Sequence, residues 1–336
     1  MPLRLTVIDQ TPVHGDRPAL AAPRTSVELA MACEGFGYHR YWLAEHHDSV
    51  QFAGTAPEIL LTRVASATQT LRVGSGGVML SHYSPFKVAE TFALLGSLFP
   101  GRIDLGIGRA PGGGQLSARA LASGMPGHGQ DFARQAAELC AFLRGTLPSS
   151  HPFAGLHCPV DDQTRPSLWM LGSSGASAAL AGQLGMGLAL ARFIAPDTCD
   201  PVIFEPHAQA FSAAGHGQTP PRLLALAVIC APTDEQARLI ATTAAYRKLS
   251  SGQRPQQPLL SPEDVMDRYR DMTPEQKQAF DQALDAMVVG SPATCRRQIL
   301  ALAKRFGSEA IGIVTVTHAF EARLASYRLL AQALQG

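Results

Sequence analysis

Three short segments of this 336-residue chain gather residue types able to do chemistry. In Trp42–Asp48, WLAEHHD, the residues Glu45, His46, His47 and Asp48 follow one another directly. A histidine near its neutral pKa moves protons, and a neighbouring carboxylate can orient it. In Gly106–Gly114, GIGRAPGGG, small residues let backbone approach a ligand closely, while Arg109 offers a fixed cation with forked donors. In Leu171–Ser177, LGSSGAS, the hydroxyls of Ser173, Ser174 and Ser177 collect where a helix would begin. Hydroxyls and free N–H groups at a helix N-terminus favour a phosphate, and plain N-capping is the competing structural reading. A fourth run, VGSGGVM over Val73–Met79, places Gly76 and Gly77 inside a strand, where glycines mark a bulge, a locally weak strand or close backbone approach to a flat ring.

The same motifs exclude other chemistries. GIGRAPG reads G-x-G-x-x-x-G and runs into Pro111 and more glycines instead of a helix, so it is not a dinucleotide-binding fingerprint. No His-Glu-x-x-His spacing exists, and no two of the six cysteines lie within four residues of each other, so no metal site is expected. A nucleophile elbow needs glycine two residues after the serine, where Ala176 follows Ser174. A cation from one strand end and serines from a later one instead suit one phosphate, and so a phosphorylated cofactor.

Strand ends must bring these groups together. Short apolar runs at Leu3–Ile8, Arg40–Leu43, Leu71–Leu80, Arg102–Ile107, Leu168–Leu171, Gly187–Ala191, Leu223–Cys230 and Ala310–Val316 predict eight strands. Amphipathic runs lie between them, including Pro57–Ala67, Pro85–Leu98, Asp131–Arg144, Asp234–Leu249 and Pro292–Phe306, with added helices over Ser261–Ala286. Eight βα units predict an α/β protein, a (β/α)8 TIM barrel with loop and helical insertions, filling residues 1–336 as a single domain. The Gly-rich segment Gly108–Gly129 and the stretch Ser250–Pro262 are candidate lids, and His82 and Tyr83, after the third strand, are candidate pocket residues.

Composition bounds the partners. A net charge of +1 with no basic block gives no footprint for nucleic acid. The N-terminus has no signal-peptide pattern, and no apolar run reaches the ~18 residues of a membrane span, so a cytoplasmic protein is expected. Only 16% of residues are charged, which hints at oligomerisation.

Taken together, YWLAEHH, VGSGGVMLSHYSPFKVAE, GRIDLGIGRAPG, LWMLGSSGAS and IGIVTVTHAFEARLASYRLLA resemble the bacterial-luciferase-like flavin-dependent monooxygenases, over essentially the whole chain and closest to their single-chain branch. The resemblance implies reduced flavin mononucleotide (FMN) held at the barrel mouth as a cosubstrate. His46 would be the catalytic acid–base group, Arg109, Ser173, Ser174 and Ser177 the phosphate site, and Gly76–Gly77 a cis peptide beneath the flavin ring. It further implies oxidation of a small organic substrate through a peroxyflavin, a separate flavin reductase and a homodimer. The reactive cysteine of light-emitting members is Gly108 here, and the acidic residue opening their phosphate turn is Ser173, which argues against light emission. Two alternatives on the same fold are hydride transfer with 8-hydroxy-5-deazaflavin and a non-catalytic flavin-binding protein.

Overall fold

Near-continuous apolar runs such as LALA and LLALAVIC suit strands buried on both faces. They are strands in a computed structural model that describes residues 3–122, 131–250 and 256–335. The strands are β1 (Arg4–Asp9), β2 (Arg40–Leu43), β3 (Arg72–Met79), β4 (Ile103–Gly108), β5 (Ser167–Gly172), β6 (Gly187–Ala191), β7 (Arg222–Cys230), β8 (Val288–Gly290) and β9 (Ala310–Val314). All pair in parallel. β1 to β7 follow chain order, and β9 closes the ring between β7 and β1. This is the eight-stranded (β/α)8 barrel that the alternation predicts.

The helices are α1 (Ala22–Gly35), α2 (Pro57–Ala67), α3 (Pro85–Leu98), α4 (Gln115–Leu121), α5 (Phe132–Arg144), α6 (Gly175–Gln183), α7 (Phe204–Ala213), α8 (Asp234–Leu249), α9 (Pro262–Arg270), α10 (Pro274–Asp285), α11 (Pro292–Phe306) and α12 (Phe320–Gln335). Several start on a serine or threonine cap followed by proline, as in α3 and α11, while α10 adds a full capping box between Thr273 and Gln276. No described helix is long and apolar enough to cross a membrane. All six cysteines are free, and five are buried.

Three features differ from the sequence expectation. The short β8 pairs only with β7, beyond the closed ring, and three residues are too few to carry a periodic signal. The Gly-rich segment after β4 contains α4, while residues 123–130 of that candidate lid and 251–255 of the second lie outside the described residues. The third is α8, which has the predicted bounds but whose last turn lines the barrel mouth. Its Ala241, Ala244 and Ala245 pack with Leu259, Phe280, Leu284, Val314 and Val316.

The opposite end of the barrel is plugged. Asp104 of β4 is fully buried and accepts from Trp42 Nε1 (2.9 Å), Arg40 Nε (2.9 Å) and Arg72 Nη2 (2.5 Å). Trp42 and Trp169 meet edge to face above it, with ring centroids 5.2 Å apart. Access to the interior therefore lies at the strand C-termini.

There the first strand is tied to the last helix. Asp9, fully buried at the end of β1, accepts from Arg323 Nη2 of α12 (2.7 Å), Tyr41 Oη (2.5 Å) and the Thr11 backbone N–H (2.7 Å). Burial opposes the charge on Asp9, but Arg323 and the hydroxyls of Ser26 and Tyr41 outweigh it and hold the carboxyl below its usual range. A depressed carboxyl contributes stability that is present above the unfolded pKa near 4 and is lost as pH falls through the folded value. Asp9→Asn should therefore cost roughly 3–5 kcal/mol in urea unfolding at neutral pH, because Arg323 loses its buried partner. The deficit should begin to shrink as pH falls below about 4, where the carboxyl of the unfolded wild-type chain takes up its proton, and shrink further as pH falls through the lower folded value; a deficit that did not depend on pH would contradict the ion pair's role.

Candidate functional site

The C-terminal ends of β1 to β6 surround a cleft of about 900 Å³. All seven sequence-predicted site residues belong to its structure. His46, Gly76, Arg109, Ser173, Ser174 and Ser177 line it, and Gly77 completes the Gly76–Gly77 peptide, which is cis.

The glycine floor is dictated by space. A Cβ on Gly76 would lie 2.9 Å from Trp42 Cβ, and one on Gly77 would lie 2.7 Å from the Gly106 carbonyl oxygen and 2.9 Å from Leu171 Cδ1. The β3–β4 register shifts between Gly76 and Val78, beside Ser75, whose hydroxyl donates to Gly106 O (2.8 Å). The result is a flat, side-chain-free strip of backbone between His46 and the serine turn.

The two loop motifs are locked together. The His47 N–H donates to Gly112 O at 2.8 Å, and Gly112 has φ +64°, in the left-handed region that favours glycine. Glu45 is buried within the wall, where it accepts from His47 Nε2 (2.6 Å), Tyr83 Oη (2.8 Å) and the Met79 N–H (2.9 Å). The carboxylate of the EHHD motif thus orients His47, not His46. Tyr83 points at Glu45 and His82 donates to Pro111 O (2.9 Å), so both brace the wall and neither lines the cleft, contrary to expectation.

His46 faces the cleft. Its backbone N–H donates to Gly54 O (2.7 Å), its Nε2 lies 3.5 Å from Gln10 Nε2, and its ring sits 4.8 Å from that of Phe52. Its Nδ1 is buried with no hydrogen-bond partner among the described residues. Burial, helped by the charges of Arg247 and His47 and opposed by Asp9, pulls the imidazole pKa down to about 4. His46 is therefore neutral at physiological pH and free to accept or donate a proton.

The opposite wall is a donor set suited to an anion. Ser174 occupies the N-cap position of α6, yet its side chain caps no backbone N–H; its hydroxyl pairs with that of Ser177 at 2.8 Å. Plain N-capping therefore does not explain this serine cluster. Across from it, Arg109 is exposed at the end of β4 and has no carboxylate partner among the described residues. An uncapped helix N-terminus, three hydroxyls and a free guanidinium suit a phosphate. With the bare glycine floor and the orphaned His46 Nδ1, the residues present fit a flavin mononucleotide.

Sequence reasoning missed part of this cleft. Gln10 follows β1, Phe193 follows β6, and Arg247 and Lys248 come from the last turn of α8. An Arg-Lys pair ending a helix reads as ordinary C-terminal charge, and nothing local says that this last turn lines the mouth. The described end of the second candidate lid is pinned here, with Gln256 Nε2 donating to Asp48 O (2.5 Å) and Gln51 Nε2 to Gln257 O (2.7 Å).

Comparison with known proteins agrees with this architecture. A sequence profile described as luciferase-like monooxygenase matches residues 3–309. A luciferase-like monooxygenase of Escherichia coli K12 is 34% identical over 336 residues, covering 97% of this chain and 96% of its own. An N-acetyl-S-alkylcysteine monooxygenase of Bacillus subtilis is 43% identical over 192 residues, 57% of this chain and 58% of its own. The crystal structure of apo-MsnO8 superposes with a TM-score of 0.87 at 35% identity, covering 99% of this chain and 98% of that one. Two more distant structures share the fold. The oxygenating constituent of 3,6-diketocamphane monooxygenase, in complex with FMN, has a TM-score of 0.71 at 19% identity and covers 99% and 98% of the two chains. An F420-dependent secondary alcohol dehydrogenase has a TM-score of 0.70 at 16% identity and covers all of both. With its barrel, its cleft and these matches, the chain belongs to the luciferase-like monooxygenase family.

Proposed function

We propose that this protein is a flavin-dependent monooxygenase that uses reduced FMN and dioxygen to oxidise a small organic substrate. The observation that carries the reading is the joining, in one cleft, of a phosphate-type donor set, a bare glycine floor and a neutral, cleft-facing histidine. Arg109 and the hydroxyls of Ser173, Ser174 and Ser177 would hold the phosphate, and the Gly76–Gly77 peptide would support the flat ring. When bound, reduced flavin supplies the electrons that activate dioxygen.

The protein's own residues do the rest. Leu171, Ala191, Phe193 and Met79 keep much of the lining apolar and so limit water at the reacting face. Neutral His46, held against Phe52 and Gln10, moves the proton that oxygen transfer requires. A separate reductase supplies the reduced cofactor. The substrate is a small organic molecule, and an S-alkyl thioether, the class named for the Bacillus relative, is the first to test. A homodimer is proposed through α2 and α3, where Ile59, Leu94 and Leu98 are exposed apolar side chains; sedimentation at twice the 35.6 kDa chain mass would support it.

Stopped-flow absorbance tests the oxygen chemistry. Protein mixed with photoreduced FMN and then oxygenated buffer should give a transient that outlives free reduced flavin. Oxidation at the free-flavin rate would favour deazaflavin hydride transfer or a flavin carrier. Arg109→Ala should weaken FMN binding by about tenfold or more while leaving riboflavin binding little changed, since only FMN carries the phosphate. Equal losses, read by fluorescence titration, would remove Arg109 from the phosphate site. The acid limb of turnover that belongs to His46 should fall near pH 4, because the proton-accepting neutral form persists down to about 4. An acid limb near the ordinary histidine value of about 6.5 that disappears in His46→Gln would contradict this.

A further inference from the structure

The cleft has a second cationic pole that the phosphate site does not use. Arg247 and Lys248 line it from the last turn of α8. The Arg247 guanidinium lies over the Phe52 ring, 5.2 Å from its centroid, and Phe52 in turn lies against His46. Arg247 Nε is buried with no hydrogen-bond partner, and no carboxylate pairs with this guanidinium among the described residues. Lys248 is occupied by comparison, its Nζ donating to Phe193 O at 3.0 Å.

Arg247 is half-buried, and an arginine whose Nε is sealed from water is normally paired, because an unsatisfied polar group away from water is costly. Favourable interaction with the α8 dipole accounts for a cation near this helix end but not for one turned inward over Phe52 with a sealed Nε. Just beyond Arg247 lies a small recess of about 30 Å³, lined mainly by apolar side chains such as Ile229, Met287, Val314 and Val316, with Gln10 and Lys248 also on its lining. The pole thus combines forked donors with an apolar slot.

We propose that Arg247 is the substrate-recognition residue of this cleft and that its ligand is an organic acid, with the carboxylate on the guanidinium and a small apolar group of about one or two carbons directed into the adjoining recess. The assignment rests on the flavin reading, which gives the serine pole to the cofactor phosphate and leaves Arg247 to the substrate. The anionic edge of reduced flavin offers similar chemistry, and the test separates the two.

The experiment is calorimetric titration of the full chain, with and without FMN, using acetate, butyrate, hexanoate and octanoate against the matching amides. At least one carboxylate should bind about tenfold tighter than its amide, the contribution of a charge-assisted pair. Arg247→Gln should bring the two within about twofold, while Arg247→Lys keeps part of the preference. No carboxylate preference anywhere in the series, or one that survives Arg247→Gln, overturns the proposal. So does a variant that loses reduced-FMN affinity about tenfold while its carboxylate preference persists, since the cation then serves the flavin. If the wild type binds no FMN yet still prefers carboxylates through Arg247, the flavin reading fails and the anion site stands.

Discussion

The site depends on one buried carboxylate. Asp9 ends the first strand, and with no exposed surface it needs Arg323, Tyr41 and a backbone N–H to remain charged. Those partners come from the last helix, the second strand and the turn at Thr11, so a single charge joins the chain's beginning to its end. It also shapes the turn, where Thr11 has φ +52° and its carbonyl accepts from Ala53 at 2.9 Å. Gln10 thereby reaches His46, and the loop carrying Phe52 packs behind the imidazole. Closure of the barrel and aim of the histidine are one electrostatic arrangement.

Around that anchor the cleft is polarised. One pole has exposed donors, Arg109 and the serines of the uncapped α6, in reach of solvent and of an arriving cofactor. The other has a half-buried guanidinium over an aromatic ring beside an apolar recess. The glycine floor and His46 lie between them. The charge of Arg247 helps keep His46 neutral, so the residue that would recognise an anion also tunes the residue that would move the proton. The three cations of the cleft are thus divided between its two sides, Arg109 on one and Arg247 with Lys248 on the other.

Much of this was legible in the sequence, for identifiable reasons. Each strand of the closed ring is an apolar run with a helix behind it, and period is what sequence displays best. His46, Arg109 and the serine turn sit at strand ends, where barrel function concentrates, and Gly76–Gly77 stood out because paired glycines inside a strand are unusual. What escaped notice was tertiary. The partner of Glu45 could not be read from EHHD, because either histidine satisfies the local pattern and only the Gly112 and Tyr83 contacts decide it. Tyr83 and His82 looked like lining residues because they follow a strand, but the chain turns them into the wall. Arg247 stayed hidden because its place at the cleft depends on tertiary packing of α8, which meets α10 more than twenty residues further along the chain.

The central claim is that the two cationic poles are divided, with the serine pole taking a flavin phosphate and the glycine floor taking the ring. A crystal structure of the full chain with FMN tests it most directly. The phosphate should lie within hydrogen-bond distance of Arg109 and the hydroxyls of the Ser173–Ser177 turn, with the ring over Gly76–Gly77 and beside His46. A phosphate on Arg247 and Lys248, with the serine turn left free, would contradict it.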